Sequence, residues 1–152
     1  MNKAFVREPD AADALCPRCG AAGVAVTVHT MLQFVPAAMQ NQIGGSPFFC
    51  ETPTCPVAYF DSLESVIAAD DLVRKIFPKD PAAPLCGCFG LTEEDVWQDI
   101  DDGVRLARIR AACCKSKTAA AQCAEKDPQG TCCMPRVQKH YFRLQKQRGN
   151  SR

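Results

Sequence analysis

The chain has 152 residues, eleven of them cysteine, with 18 Lys and Arg against 17 Asp and Glu for a net charge of +1. That length suits one ordinary domain or two small ones sharing a core, and so small a net charge indicates no particular partner. An odd cysteine count leaves one thiol over in any framework made only of disulfides, and no apolar run has signal-peptide or transmembrane length; a secreted disulfide scaffold is therefore disfavoured, and metal-bound thiolates in a reducing cytoplasm are expected.

In chain order, residues 1–14 read as a loose leader, and residues 15–78 as a strand-rich half. VAVTV (Val24 to Val28) alternates, Phe48 and Phe49 lead into Cys50, and VAYF (Val57 to Phe60) follows Cys55. Between them QNQIGGSP is turn chemistry, with Gly44 and Gly45 free to take positive φ. LVRKIF (Leu72 to Phe77) is a further candidate strand.

This half also carries the first cysteine set. In CPRCG, two residues between Cys16 and Cys19 let both sulfurs reach one ion at about 2.3 Å, and Gly20 permits the tight turn that aims backbone amides at sulfur. Further on, Cys50 and Cys55 bracket Pro53 in a second turn. Two cysteine pairs beside strands are the pattern of a zinc-ribbon-like site with Cys16, Cys19, Cys50 and Cys55 as ligands. Such a closed site holds the fold, with binding energy of roughly 10–16 kcal/mol typical of structural zinc in finger peptides. The rival, a thioredoxin-like redox pair at Cys16 and Cys19, would open a helix after a strand, whereas AAGVAVTV reads as a strand. His29 could replace one thiolate, but its place in the alternating stretch makes it an ordinary strand residue.

After the connector KDPAAP (Lys79 to Pro84) the text becomes helical, over residues 79–137. Thr92 is an N-cap with Asp95 at N3, Leu91 and Val96 form a hydrophobic staple, and Val96 and Ile100 share one face. Gly103 ends or kinks that helix. VRLARIRAACC is a second helical run with a thin buried stripe through Leu106 and Ile109. A third runs from Pro135 to about Arg148, with Val137, Tyr141 and Leu144 on one side. Residues 138–152 are set apart as a basic C-terminal helix or tail. Residues 92–102 hold six acids and no base, and residues 136–152 six bases and no acid. Bases suit a helix C-terminus, and without an aromatic base-stacking pattern nucleic-acid binding is not favoured.

Seven cysteines fall in this second half. Cys86 and Cys88, separated by Gly87 alone, are too close for an unstrained disulfide or an easy tetrahedral zinc chelate. They suit the edge of an iron–sulfur cluster, where Gly87 and Gly90 let backbone amides approach the sulfides. Cys123 and the Cys132, Cys133 doublet supply the remaining thiolates of a [2Fe-2S] centre. Adjacent side chains diverge, so one member of the doublet is expected to ligate, and spacing does not choose which. Cys113 and Cys114 lie on a helical run where neighbours diverge by about 100°; they read as spares, small hydrophobes near the cluster. No Ser/His/Asp or Cys/His grouping is present, and Glu93, Glu94 and Asp95 read as a helix start, so enzyme activity is not expected. Together the halves make a small, metal-stabilised α+β domain.

The series CPxCG, FFCxxPxCxVxYF, CxCFGxT and CxxKDPxGxCC, in that order from Leu15 to Val137, closely resembles the N-terminal zinc and [2Fe-2S] domain of the iron–sulfur copper chaperones of the CopZ type. The resemblance implies a [2Fe-2S] cluster on Cys86, Cys88, Cys123 and Cys133, and zinc on Cys16, Cys19, Cys50 and Cys55. It implies a cytoplasmic metallochaperone role in copper or heavy-metal homeostasis, with one-electron reduction of Cu(II) to Cu(I), and a copper-carrying heavy-metal-domain protein or a copper ATPase as partner. The competing expectation is a non-catalytic binding module, with both metal centres structural and the basic tail docked on a partner. Asp127 stands where the family usually has Asn, and Ala121 where it often has cysteine; Asp caps such a turn as Asn does. No M-x-C-x-x-C copper loop is present, so copper is expected to travel on a separate carrier.

Overall fold

The structure, a computed structural model, describes residues 14–103, 105–118 and 121–150. Four short strands, β1 (Val24–Ala25), β2 (Phe48–Phe49), β3 (Val57–Phe60) and β4 (Val66–Ala68), form an antiparallel sheet in the order β1-β2-β3-β4. A short helix, α1 (Val28–Leu32), follows β1, and four helices complete the chain: α2 (Glu93–Asp102), α3 (Ala107–Ser116), α4 (Cys123–Lys126) and α5 (Met134–Asn150). The architecture is α+β. None of the helices among the described residues is long and apolar enough to cross a membrane.

Strand β3 is buried along its whole length because both faces of the sheet are covered. Phe48 pairs with Phe60 and Phe49 with Tyr59, and side chains next to each other on a strand point to opposite faces. On one face Phe48 and Phe60 stack at 5.6 Å among Cys16, Cys50 and Cys55. On the other, Phe49 and Tyr59, also 5.6 Å apart, pack with Met31, Phe34 and Ile67. Each such ring contributes about 1.5–3 kcal/mol by its burial. The sheet therefore separates the first cysteine set from an apolar core.

Several sequence expectations are corrected in this half. The strand expected over Val24 to Val28 stops at Ala25, because Thr27 turns its hydroxyl back to accept from Thr30 N at 3.2 Å and caps α1. His29 is thus on a helix, exposed, with Nε2 3.8 Å from Glu125 Oε1. LVRKIF forms no strand; Ile76 is buried, but Val73 is exposed and its amide bonds Phe34 O at 2.9 Å in isolation. The strand in this region is β4, brought back onto β3 by Asp61, whose Oδ1 accepts from Leu63 N and Ser65 N, both at 3.0 Å. The glycines with positive φ are Gly20, Gly90, Gly103 and Gly130, not Gly44 or Gly45. The expected leader lies outside the described residues except for Ala14.

In the helical half, α2 has the capping box of Thr92 and Asp95 and ends at Gly103. Val96, Ile109, Val137 and Leu144 make the core among α2, α3 and α5. The fully buried Asp99 carboxylate on α2 accepts from Arg108 N (3.2 Å) and Ile109 N (2.8 Å), which caps α3 where its own N-cap residue, Leu106, offers no polar side chain. Helix α5 continues unbroken through residue 138, burying His140 and Leu144 beyond it.

Candidate metal centres

The first cysteine set is built by two turns facing each other across the end of the sheet. In one, Gly20 takes φ +76°, its amide bonds Cys16 O at 2.8 Å, and Leu15 bridges to Ala22. In the other, Cys55 N bonds Thr52 O at 3.2 Å while Cys50 N is tied to Ala58 O of β3 at 2.9 Å. These turns bring the four sulfurs within 4.8 Å of one another. Cys16 and Cys55 Sγ are 3.8 Å apart, and Cys19 and Cys50 Sγ 3.6 Å. Sulfurs on a tetrahedron at about 2.3 Å from zinc are separated by about 3.8 Å, so the set fits a closed four-thiolate zinc site.

The thiols differ in acidity. The Thr52 hydroxyl, 3.3 Å from Cys19 Sγ, leads the effects that bring Cys19 down to about 6. Burial pushes Cys50 up to about 12 and also raises Cys55. Lys79 Nζ donates to Thr52 O (2.7 Å) and Cys55 O (3.0 Å), placing one positive charge beside the tetrad. Lys79 and Thr52 were not singled out from sequence, where Lys79 is merely the first residue of a proline-rich connector.

The second set is arranged differently. Residues 86–90 form a tight loop in which Gly90 N bonds Cys86 O at 2.8 Å and Cys86 bridges to Leu91. Gly87 has no room for a side chain: a Cβ there would lie 2.1 Å from Lys126 O at the end of α4. That approach sets Cys88 Sγ 3.8 Å from Cys123 Sγ, and Gln122 N donates to Cys88 Sγ at 3.3 Å. Cys86 (2% exposed) and Cys133 (3%) are buried in the same helical core, where the Cys133 thiol brings Cys86 down to about 6 and Cys86, together with burial, drives Cys133 up. Cys132 is exposed, Cys114 is exposed, and Cys113 is half-buried against the helical core. The second set thus consists of two pairs, and among the described residues only the first set closes into a single-ion group.

The segment from Cys123 to Cys133 hangs from the strand-rich half. Thr30 Oγ1 donates to Ala124 O (2.7 Å), Tyr59 Oη to Pro128 O (2.6 Å), Arg74 Nη2 to Glu125 O (3.1 Å) and Gln129 Nε2 to Glu51 Oε1 (2.7 Å). Gly130, at φ +76°, seats against Thr30, where a Cβ would lie 2.4 Å from Oγ1. Sequence reading missed these residues, since partners 94 and 69 positions apart leave no local pattern.

The fold and the first site define a small α+β metal-binding domain with a four-cysteine zinc site. Residues 13–73 match the zf_CopZ family model, a zinc binding domain. Comparison with curated proteins found no match. Among solved structures, the N-terminal domain of CopZ from Archaeoglobus fulgidus is similar with a TM-score of 0.67 and 24% identity, over 83% of this chain and 96% of that one. The chain thus shares the fold of that N-terminal domain, and its residues 13–73 carry the match to the zinc binding domain.

Proposed function

We propose that this domain holds one structural zinc on Cys16, Cys19, Cys50 and Cys55 and one [2Fe-2S] cluster on Cys86, Cys88, Cys123 and Cys133, and that it serves copper or heavy-metal homeostasis as an iron–sulfur metallochaperone. The observation that carries the cluster reading is the paired arrangement of the second set, with Cys88 and Cys123 sulfurs 3.8 Å apart and Cys86 and Cys133 buried together in the helical core. Two irons need two thiolates each, whereas one zinc needs four in one shell. Buried Cys133 rather than exposed Cys132 faces Cys86, which supports Cys133 as the ligand from the doublet. The cluster, when bound, supplies one electron at a time, suited to converting Cu(II) to the Cu(I) that soft thiolate carriers accept. The chain's own part is to hold the thiolates, aim Gln122 N at sulfur and shield Cys86 and Cys133 from water.

In this reading the domain is cytoplasmic, is not an enzyme, and works with a copper-carrying heavy-metal-domain protein or a copper ATPase. Anaerobic purification with metal, labile-sulfide and visible-absorption measurements tests it. Zinc together with iron and sulfide in equal amounts is expected, and a colourless protein without sulfide would sink the cluster. A second reading, two structural centres and a docking tail, draws on the exposed bases of α5, among them Lys139 and Arg143. A cluster that no reductant reduces reversibly would favour it.

A further inference from the structure

Asp127 opens the turn between Cys123 and Cys133, and its carboxylate is 2% exposed. Oδ2 accepts from Gln129 N (3.1 Å), Thr131 N (3.3 Å) and Arg136 Nη2 (2.8 Å), while Oδ1 is buried with no hydrogen-bond partner among the described residues. An amide in its place would still offer one oxygen to the two backbone donors, so the turn alone does not require a carboxylate. Burying a charge is costly, and this one is paired on one oxygen only. Asp127 N donates to Cys123 O at 3.0 Å and its own carbonyl accepts from Gly130 N at 2.9 Å, so the carboxylate sits in the turn that joins two of the proposed ligands. A charge buried there acts on the site from inside the protein, where solvent screens little. Arg136, in the first turn of α5 and 30% exposed, pairs with that buried carboxylate through Nη2.

We propose that Asp127 and Arg136 form an opposed charge pair that sets the reduction potential of the cluster at this site, Asp127 holding it down and Arg136 limiting that effect. The proposal rests on the cluster reading given above. Reduction adds an electron to a centre whose thiolates and sulfides already make it negative, so a fixed buried anion opposes the step and a fixed cation assists it. Neither residue is a ligand; both act through the field at the sulfurs.

The test is a redox titration, followed by visible absorption under anaerobic conditions at pH 8, of the wild-type protein, Asp127→Asn, Arg136→Gln, Arg136→Lys and the double variant Asp127→Asn/Arg136→Gln. Asp127→Asn is expected to move the midpoint positive and Arg136→Gln to move it negative. The double variant is expected to lie between the two, and Arg136→Lys, which keeps the charge, to stay at the wild-type value. Shifts of the same sign in Asp127→Asn and Arg136→Gln, or no shift in either, would overturn the proposal. Should Asp127→Asn lose the cluster, the Arg136 pair still decides: Gln below Lys supports the proposal, and equal midpoints overturn it. Absence of labile sulfide from the wild-type protein overturns the cluster reading itself and this proposal with it, a result distinct from a loaded cluster that ignores both charges.

Discussion

The phenolic oxygen of Tyr59 stands 2.6 Å from the carbonyl oxygen of Pro128, which joins the central strand of the sheet to the turn between Cys123 and Cys133. Burial pushes the Tyr59 phenol well above its ordinary range, so it remains a donor at any working pH. Tyr59→Phe removes the donor, leaves Pro128 O without it, and is expected to cost about 1–3 kcal/mol. Thermal unfolding of the loaded protein should shift down by several degrees with the zinc content unchanged. An unchanged midpoint would mean that the bond does not hold the two halves together.

Zinc affinity is expected to rise with pH. In the empty site burial holds the proton on Cys50 up to about 12 and raises Cys55, so both must be deprotonated when zinc binds at pH 7. Cys19, at about 6, is already largely thiolate there and is the first sulfur available to the metal. Calorimetry in buffers of different ionisation enthalpy should show proton release on binding, and competition with a chromophoric chelator should show weakening affinity as pH falls from 8 to 6. Binding without proton release would contradict the assignment. Cys50→Ser should abolish stoichiometric zinc and unfold the strand-rich half, read by near-UV circular dichroism.

Cys132→Ser is expected to retain the proposed cluster, and Cys133→Ser and Cys86→Ser to lose it, because Cys133 is the member of the doublet buried in one core with Cys86 while Cys132 is exposed. Labile sulfide and iron per protein settle the choice. The reverse pattern would move the ligand to Cys132.

Gly87→Ala should separate Cys88 from Cys123 without touching a thiol. The added methyl would meet Lys126 O at 2.1 Å, so either the loop of residues 86–90 or the end of α4 must retreat, at a cost of about 1–3 kcal/mol. Iron and sulfide content are expected to fall severalfold while zinc stays at the wild-type level. Full cluster loading in this variant would show that the close approach is incidental.

How far the sequence could be read depended on how local each signal was. Phe48, Phe49 and the VAYF strand, the capping box at Thr92 and the α5 helix all rest on neighbours within a few residues, and the structure has them. Thr27 defeated the alternation of VAVTV because a side-chain cap at 3.2 Å ends the extended run after Ala25, while the apolar spacing of Met31, Phe34 and Val35 belongs to a helix and its exit. Strand β4 was missed because three residues show too little alternation, and its turn depends on Asp61 rather than on glycine. For the cysteines, the spacing of Cys16 with Cys19 and of Cys50 with Cys55 was sufficient to group them. The burial difference between Cys132 and Cys133 comes from where α5 begins and could not be read from two identical letters.

The hydrogen bonds that hang residues 123–130 on the sheet also imply a chronology. Their side-chain donors Thr30, Tyr59 and Arg74 belong to the half organised by the zinc tetrad, whereas the acceptors at Ala124, Pro128 and Glu125 belong to the half that carries the later cysteines. The zinc-loaded half is then the template on which the second site is shaped, and maturation of the domain is expected to be ordered, zinc first and iron and sulfide after. Reconstitution of metal-free protein should be slow with iron and sulfide alone and fast once zinc has been added. Equal rates in either order would show that the two halves mature independently.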